Sequence, residues 1–198
     1  MQAVGWAGEC WIARAGWFRR SVAARAVVAM VFVVTLAGAA WAEAPPEPDG
    51  FRTEPYNAPV PETLAGARVI DAAQAMALRD EGAVFFDLHP RITRPEGLPA
   101  GTIWRDRVHL TIPDALWLDY GGYPALSEAE QTAFAQAMAR AGGPDMDRPM
   151  VFFCLPDCWL SWNAARRAVG LGYTGVHWFP GGTVEWAAAG GALEAAAP

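Results

Sequence analysis

The sequence predicts an α/β domain built around a mainly parallel β-sheet. Predicted strands and helices alternate along the chain, which is the order typical of this class. The segments Ala83 to Asp87 and Pro149 to Cys154 are almost continuously apolar, as expected for strands buried on both faces of a parallel sheet. Ligands of such sheets bind beyond the carboxyl ends of the strands. Asp87, Cys154 and Phe179 occupy such ends and are the first residues to consider for function.

The first half of the domain is predicted to contain two strands, one helix and a long irregular segment. These are a strand at 68–70, a helix from Ala72 to Glu81, a strand from Ala83 to Asp87 and an irregular segment from Leu88 to Pro113. Asp71 can cap the helix start, and Gly82 suits the residue that ends the helix. Irregular segments as long as 88–113 are usually functional or insertions in compact domains.

The second half continues the alternation. The predicted elements are a strand from Ala115 to Leu118, a helix to about Ala141, a strand from Pro149 to Cys154, a helix from Ser161 to about Val169, a strand from Val176 to Phe179 and a short helix to Ala189. Ser127 and Glu130 form a capping box that opens the first of these helices. Ser161 and Thr183 are the predicted caps of the two later helices.

Residues 1–42 have the pattern of an export signal. Four arginines (14, 19, 20 and 25) precede an apolar run of 15 residues, and Ala40-Trp41-Ala42 fits a signal-peptidase site. The run is shorter than the roughly 20 residues that cross a bilayer. We therefore expect cleavage after Ala42, a periplasmic protein and no stable membrane insertion of the mature chain. An uncleaved anchor is the alternative, and Arg19-Arg20 leaves open whether export uses the general or the twin-arginine route.

The mature chain is expected to have three parts. Residues 43–64 are rich in proline and suit an extended arm or a linker, residues 65–192 form the domain, and the alanine-rich residues 193–198 are expected to be a frayed tail. After residue 42 the chain has 11 arginines, no lysine and 20 acidic residues, a formal charge of −9. This acidic balance, without any basic run, argues against nucleic acid or anionic lipid as a partner.

Two cysteines are the strongest functional signal. Cys154 and Cys158 stand where an apolar strand ends and a helix begins, and a thiolate is stabilised by unpaired N–H groups and by the positive end of a helix dipole. In an oxidising compartment the two thiols tend to pair, provided that the loop between them bends enough to bring their Cα atoms within reach. Such a short loop contributes little chain-entropy stabilisation, so a disulfide here is more plausibly redox-active than structural. The alternative is two buried cysteines that pack as small hydrophobic residues.

Several residues near the cysteines are candidates for supporting roles. Asp87 could orient the loop after its strand or hold Arg91, or it is simply a turn acid. Trp159 and Trp162 share a helix face and either wall the cysteine pocket, recognise an aromatic or quinone ligand, or pack in the core. Trp178 and Trp186 are expected in the core.

Metal and anion binding are further interpretations. Two thiolates could hold Cu(I), with His89 as the best additional ligand, whereas His177 inside a strand is expected to be a satisfied core histidine. No spacing of a closed four-ligand zinc site occurs. The arginines at 91, 94, 105 and 107 cluster in the long segment and could form an anion site, although surface arginines beside acids usually form solvated pairs.

Several segments resemble the rhodanese-like domain over about Val69 to Gly190. They are Phe85 to Arg91, Ile112 to Ala115, Val151 to Cys154 and Phe179 to Trp186. More narrowly, Cys154-x-x-x-Cys158-Trp159, followed by Ser161-Trp162-Asn163, is similar to the family of PQQ-dependent catabolism-associated CXXCW-motif proteins. That family has two residues between its cysteines, whereas this sequence has three.

The resemblance implies a three-layer sandwich with a five-stranded sheet in the order 1-5-4-2-3 and Cys154 at the end of a central strand. It also implies an association with PQQ through periplasmic quinoprotein alcohol oxidation, without supplying a biochemical activity. In active rhodaneses the N–H groups of the cysteine loop stabilise a persulfide. Here Pro156 has no N–H, and 155–160 lacks the usual Gly and Arg.

The sequence is compatible with three functions. Cys154 could carry a persulfide that Cys158 displaces, leaving a disulfide. The pair could exchange disulfides with a thiol of a periplasmic partner or of a quinoprotein dehydrogenase system. The protein could instead be a non-catalytic module that binds a metal, a redox cofactor or a protein partner.

Overall fold

The computed structural model describes residues 44–105 and 107–197. The predicted export signal at 1–42 lies outside these residues. The described part contains seven strands and four helices. In chain order they are β1 (Arg68–Val69), α1 (Ala72–Asp80), β2 (Val84–Asp87), β3 (Leu110–Thr111), β4 (Leu116–Trp117), α2 (Glu128–Gly142), β5 (Met150–Phe153), α3 (Trp159–Gly170), β6 (Val176–Phe179), α4 (Gly182–Ala188) and β7 (Glu194–Ala195).

Five of the strands form one parallel sheet, which confirms the predicted α/β class. The order of neighbours is β1-β6-β5-β2-β4, and every pairing in this sheet is parallel. The expected order, 1-5-4-2-3, is numbered for a chain of five strands, so its numbers differ from the strand labels used here. The described residues contain two further strands, β3 and β7, which pair antiparallel in a sheet of their own. When the five members of the large sheet alone are counted along the chain, their order reads 1-5-4-2-3.

Cys154 follows β5, the strand at the centre of the sheet. Phe153, the last residue of β5, is in register with Asp87 on β2 and with Phe179 on β6. The three strand ends predicted to carry function therefore lie side by side. All four residues of β5 and of β6 are buried, as expected for strands covered by helices on both faces.

The helices begin where their caps allow, with two corrections to the sequence prediction. Asp71 caps α1 and Ser127 caps α2, each in a complete capping box. Ser161, however, is not a cap: α3 begins at Trp159, and Cys158 holds the N-cap position. Thr183 likewise lies inside α4, whose N-cap is Gly181. In both cases a tight turn after the preceding strand starts the helix before the better capping residue is reached.

Two apolar clusters fill the two faces of the sheet. The larger one joins α2 and α3 to β5 and includes Phe152, Trp162 and Trp178, all fully buried. The smaller one includes Val151, Phe153 and Trp186. The alternation of β5 side chains between the two clusters follows from the two-residue period of a strand. Trp178 and Trp186 are core residues, as predicted.

The proline-rich segment lies on the domain as an arm. Leu64 at its end is buried. Carbonyl groups of the arm accept hydrogen bonds from two buried indoles, Trp159 Nε1 to Pro59 O and Trp162 Nε1 to Thr63 O, both 3.1 Å long. Because these contacts join residues about 100 positions apart, the arm is part of the folded unit rather than a free linker.

The end of the chain also differs from the prediction of a frayed tail at 193–198. Glu194 and Ala195 form β7, which pairs with β3 in register Leu110↔Ala195 and Thr111↔Glu194. The N–H of Ala196 extends the pairing by donating to His109 O over 2.8 Å. The backbone pairing holds this segment although its side chains offer little to pack. No helix within the described residues is long and apolar enough to cross a membrane.

Candidate functional site

Cys154 and Cys158 form a disulfide across the turn between β5 and α3. Their Cα atoms are 6.2 Å apart, within the usual range for a disulfide. Asp157 adopts a left-handed conformation, with φ of 57°, and this residue completes the sharp reversal that brings the two sulfurs together. The chain reversal on which the predicted site depends is therefore present.

The two cysteines differ in exposure. Cys154 is only 2% exposed, whereas Cys158 is partly exposed and the three residues between them are exposed. Cys158 is therefore the more accessible residue of the pair. Cys154, which the sequence suggests as the nucleophile, is enclosed because it continues a buried central strand.

Two backbone N–H groups near the site are already used. The N–H of Thr183 donates to the carbonyl of Cys154 (3.1 Å), and the N–H of Trp159 donates to the carbonyl of Tyr56 (2.9 Å). Pro156 has no N–H to offer. These groups therefore do not form the ring of donors that would stabilise an anionic sulfur on Cys154.

The N-terminus of α3 lies at Cys158 instead. Cys158 holds the N-cap position of this 12-residue helix, and its side chain makes no capping hydrogen bond. The first N–H groups of a helix and the positive end of its dipole stabilise negative charge. Reduction would thus place the Cys158 sulfur at a helix N-terminus and leave the Cys154 sulfur enclosed in the core.

The arm pairs with the disulfide loop. Asn57 and Cys158 form an antiparallel bridge, flanked by the hydrogen bonds from Ala58 N–H to Asp157 O (3.0 Å) and from Trp159 N–H to Tyr56 O (2.9 Å). The loop is therefore held on one side by a segment that precedes it by about 100 residues.

The two tryptophans after Cys158 are packing residues. Trp159 and Trp162 are 2% and 0% exposed, and their rings meet edge to face with centroids 5.5 Å apart. Their indole N–H groups donate to the arm. Because both rings are enclosed, they do not form a wall of a cysteine pocket, and they offer no exposed face on which an aromatic ligand could stack.

Ser161 and Asn163 connect the start of α3 to the core. The hydroxyl of Ser161 donates to Cys158 O (3.1 Å) and accepts from Trp178 Nε1 (3.0 Å). The side chain of Asn163 accepts from the N–H of Arg52 and donates to the carbonyl groups of Arg52 and Gly122, each over 2.9 Å. Ser161 therefore connects the end of the disulfide loop to β6, and Asn163 connects α3 to the segments around Arg52 and Gly122.

Asp87 is completely buried and accepts three hydrogen bonds. The donors are the N–H of His89 (2.8 Å), the hydroxyl of Thr111 (2.6 Å) and Nε2 of His109 (2.7 Å). A carboxylate only accepts, so the imidazole must donate from Nε2. Asp87 does not hold Arg91, contrary to one expectation, because Arg91 pairs with Asp119 over 3.0 Å.

The histidines do not join the cysteines in a metal site. Within residues 44–105 and 107–197, no group of three or more His, Cys, Asp or Glu side chains is placed to hold a metal ion. His89 stacks on His109 with centroids 4.4 Å apart. Burial, followed by the neighbouring His109, lowers the pKa of His89. His177 is a buried strand residue whose Nδ1 lies 3.1 Å from Gly175 O, and burial lowers its pKa.

Sequence reasoning did not identify His109 and Thr111 as partners of Asp87. The only available signal was their spacing, since residues two apart on an extended segment face the same side. His109 and Thr111 follow Asp87 by 22 and 24 residues, and the irregular segment lies between them. No periodicity in that segment indicates which of its residues lie next to the sheet.

No protein-family model and no curated protein matches this sequence. Among solved structures, the chain is similar to an uncharacterized protein from Saccharomyces cerevisiae determined at atomic resolution. The identity is 16%, the match covers 63% of this chain and 93% of the yeast chain, and the TM-score is 0.36.

Proposed function

We propose that this protein is an exported, rhodanese-like α/β protein in which Cys154 and Cys158 cycle between a disulfide and two thiols by exchange with a partner protein. The observation that carries the proposal is the pairing of one buried and one accessible sulfur at the start of α3. A short-range disulfide adds little to stability through chain entropy, so its position at the end of a central strand favours a reactive role.

The exchange follows from the asymmetry of the pair. A partner thiolate attacks the accessible sulfur of Cys158, the bond between the two cysteines breaks, and Cys154 leaves with the electron pair and takes up a proton. A second thiol of the partner then attacks the mixed disulfide and releases Cys158 as a thiolate at the helix N-terminus. The partner is oxidised from two thiols to one disulfide, and this protein is reduced by the same two electrons.

The reverse direction uses the same groups. The Cys158 thiolate attacks a disulfide of the partner, and the enclosed Cys154 then resolves the mixed disulfide and restores the internal bond. By its resemblance to the CXXCW-motif family, we place this exchange beside periplasmic PQQ-dependent alcohol oxidation, with the quinoprotein dehydrogenase system or a separate thiol protein as the partner.

Single cysteine variants test the proposal. With glutathione disulfide as the probe, we expect Cys154→Ser to form a mixed disulfide at Cys158 at least about tenfold faster than Cys158→Ser forms one at Cys154, because attack requires access and thiolate. Intact mass gives both rates. Equal rates, or faster reaction of Cys158→Ser, would contradict the assignment of Cys158 as the exchanging sulfur.

The reduction potential separates exchange from a structural bridge. Equilibration of the wild-type chain with glutathione should give a potential above about −300 mV, since structural disulfides of secreted proteins lie below that value. A lower potential would show that the disulfide is inert, whatever the rates at which the two single-cysteine variants form mixed disulfides with glutathione.

Persulfide chemistry is the second candidate, favoured by the position of Cys154 at the end of the central strand β5. In that case the Cys154 thiolate takes a sulfane sulfur from thiosulfate and sulfite leaves. The persulfide then passes this sulfur to an acceptor thiolate, or Cys158 attacks it, which forms the Cys154–Cys158 disulfide and releases hydrosulfide. Cyanolysis distinguishes the two functions: Cys154→Ser should lose all cyanolysable sulfur and Cys158→Ser should retain it. Equal sulfur on both variants would exclude Cys154 as the carrier.

A further inference from the structure

A cavity that is lined by neither cysteine lies beside the end of β2. Its volume is about 700 Å³, and its described walls are formed by 89–94, 107–109, Trp117 and 195–196. This volume is in the range of small-molecule sites in proteins. The walls come mostly from the long segment between β2 and β3, the part of the chain whose length already indicated a function or an insertion.

The cavity concentrates positive charge in an acidic protein. The whole chain has 15 basic and 21 acidic residues, yet three arginines, at 91, 94 and 107, and no acidic residue stand among the described lining residues. Arg91 is paired with Asp119. In the described chain, Arg94 and Arg107 take part in no ion pair. Two positive charges are therefore left for a ligand.

The rest of the cavity wall is aromatic and apolar. His109 stacks on His89, with centroids 4.4 Å apart, and its ring also lies 4.8 Å from that of Trp117. Ile92 and Val108 are 49% and 73% exposed, although both are large apolar side chains. Such residues next to arginines suit a ligand that has an apolar body as well as charge.

The wall is fixed by partly buried hydrogen bonds. Asp87 accepts from His109 and from the backbone N–H of His89, and the indole N–H of Trp117 donates to His89 O over 2.6 Å. These bonds hold the His109 imidazole, the Trp117 indole and the backbone of His89 in place before any ligand arrives. A preformed wall reduces the entropic cost of binding.

We propose that this cavity binds a small organic dianion, with two carboxylates that pair with Arg94 and Arg107 and an apolar body that lies against the exposed side chains of Ile92 and Val108. The planar guanidinium groups match carboxylates through paired hydrogen bonds. An apolar body that carries two carboxylates offers one carboxylate to each of the two arginines that form no ion pair in the described chain. The site is independent of the disulfide.

Benzene-1,3-dicarboxylate is a suitable probe, with the neutral benzene-1,3-dicarboxamide as its counterpart. By calorimetry on the full-length chain we expect the dicarboxylate to bind with a dissociation constant below about 1 mM and the diamide at least about tenfold more weakly. Arg94→Gln and Arg107→Gln should each weaken binding by about tenfold or more, because each removes a charge-assisted contact.

Arg105→Gln is the matched control. Arg105 lies in the same segment but is not among the described residues that line the cavity, so its replacement should change the affinity by less than about twofold. Cys158→Ser should also bind normally, which distinguishes this site from the proposed exchange site. Absence of binding by the wild-type chain, equal binding of the diamide, or equal weakening by Arg105→Gln would overturn the proposal.

The three histidines provide a second measurement. His89 and His109 line the cavity, whereas His177 is buried on β6 and serves as the internal reference. In spectra of protein labelled with ¹⁵N-histidine, the dicarboxylate should shift the ring signals of His89 and His109 and leave those of His177 in place. Binding that shifts only His177, or none of the three, would show that the probe binds elsewhere.

Discussion

Gly182 packs directly against the carbonyl group of Cys154. A methyl group built on Gly182 would lie 2.0 Å from that carbonyl oxygen, and the residue has φ of +52°. The neighbouring N–H of Thr183 donates to the same oxygen over 3.1 Å. The start of α4 is therefore fitted to the backbone of the buried cysteine, and the turn from β6 into α4 supports Cys154.

Gly182→Ala should destabilise the protein by about 2 to 4 kcal/mol. A left-handed backbone costs alanine about 1 kcal/mol, and the clash with Cys154 O adds the cost of displaced packing. The free energy of unfolding, from urea denaturation of the oxidised chain, measures the loss.

Gly190→Ala is the matched control for this prediction. Gly190 also has a left-handed backbone, with φ of +91°, but nothing lies within 4 Å of a methyl group built there. Its replacement should cost only the backbone part, about 1 kcal/mol. Equal destabilisation by the two variants would mean that contact with Cys154 does not matter.

Reduction of the disulfide should loosen the arm. The hydrogen bonds from Ala58 N–H to Asp157 O and from Trp159 N–H to Tyr56 O span the arm and the disulfide loop. Without the covalent bond the loop gains conformational freedom, so hydrogen exchange at these two amides should accelerate by at least about tenfold. Exchange measured by NMR before and after reduction checks this.

The amide of Ile70 is the reference for the same experiment. It donates to Trp178 O over 3.0 Å, next to the pairing of β1 with β6 and away from the disulfide loop. Its exchange should not change on reduction. If all three amides accelerated together, reduction would be destabilising the whole fold rather than the arm contact.

Asp87→Asn should cost about 2 to 4 kcal/mol of stability. The carboxylate of Asp87 accepts from Thr111, His109 and the N–H of His89 with no exposure to solvent. An amide in its place turns one acceptor into a donor and leaves a buried polar group unsatisfied. Chemical denaturation of the variant measures the loss.

Asp114→Asn provides the comparison. Asp114 pairs with Arg79 at the surface, with 87% of its side chain exposed, and exposed pairs contribute less than about 1 kcal/mol. A loss for Asp87→Asn as small as that for Asp114→Asn would show that the buried hydrogen bonds contribute nothing net.

Local sequence patterns predicted the regular elements well and the contacts between distant segments poorly. Continuous apolar runs located β2, β5 and β6 to within one residue at either end, because burial on both faces leaves little choice of residue type. The cap at Asp71 and the capping box at Ser127 located α1 and α2. These signals are local, and the interactions that they report are local as well.

The start of α3 shows why local signals can fail. Ser161 is the better capping residue by type, but the turn that joins Cys154 to Cys158 begins the helix at Trp159. The arm illustrates the same limit, because its prolines indicate extended backbone without indicating that Tyr56 and Ala58 pair with the disulfide loop. A tertiary constraint decided both outcomes.

Acidification should destabilise the fold through two histidines, the partly buried His89 and the buried His177. Burial, as the largest cause, lowers the pKa of both His89 and His177 below that of a free histidine. Above about pH 6.5, the ordinary value for the unfolded chain, both states are neutral and the histidines cost nothing. As the pH falls from about 6.5 through the lowered native pKa values, the unfolded state binds more protons than the native state, so the free energy of unfolding decreases.

NMR titration of the imidazole signals should give midpoints below 6.5 for these two residues, and His177→Asn should reduce the acid sensitivity of stability. Midpoints at or above 6.5 would mean that the native state does not disfavour the charged imidazoles.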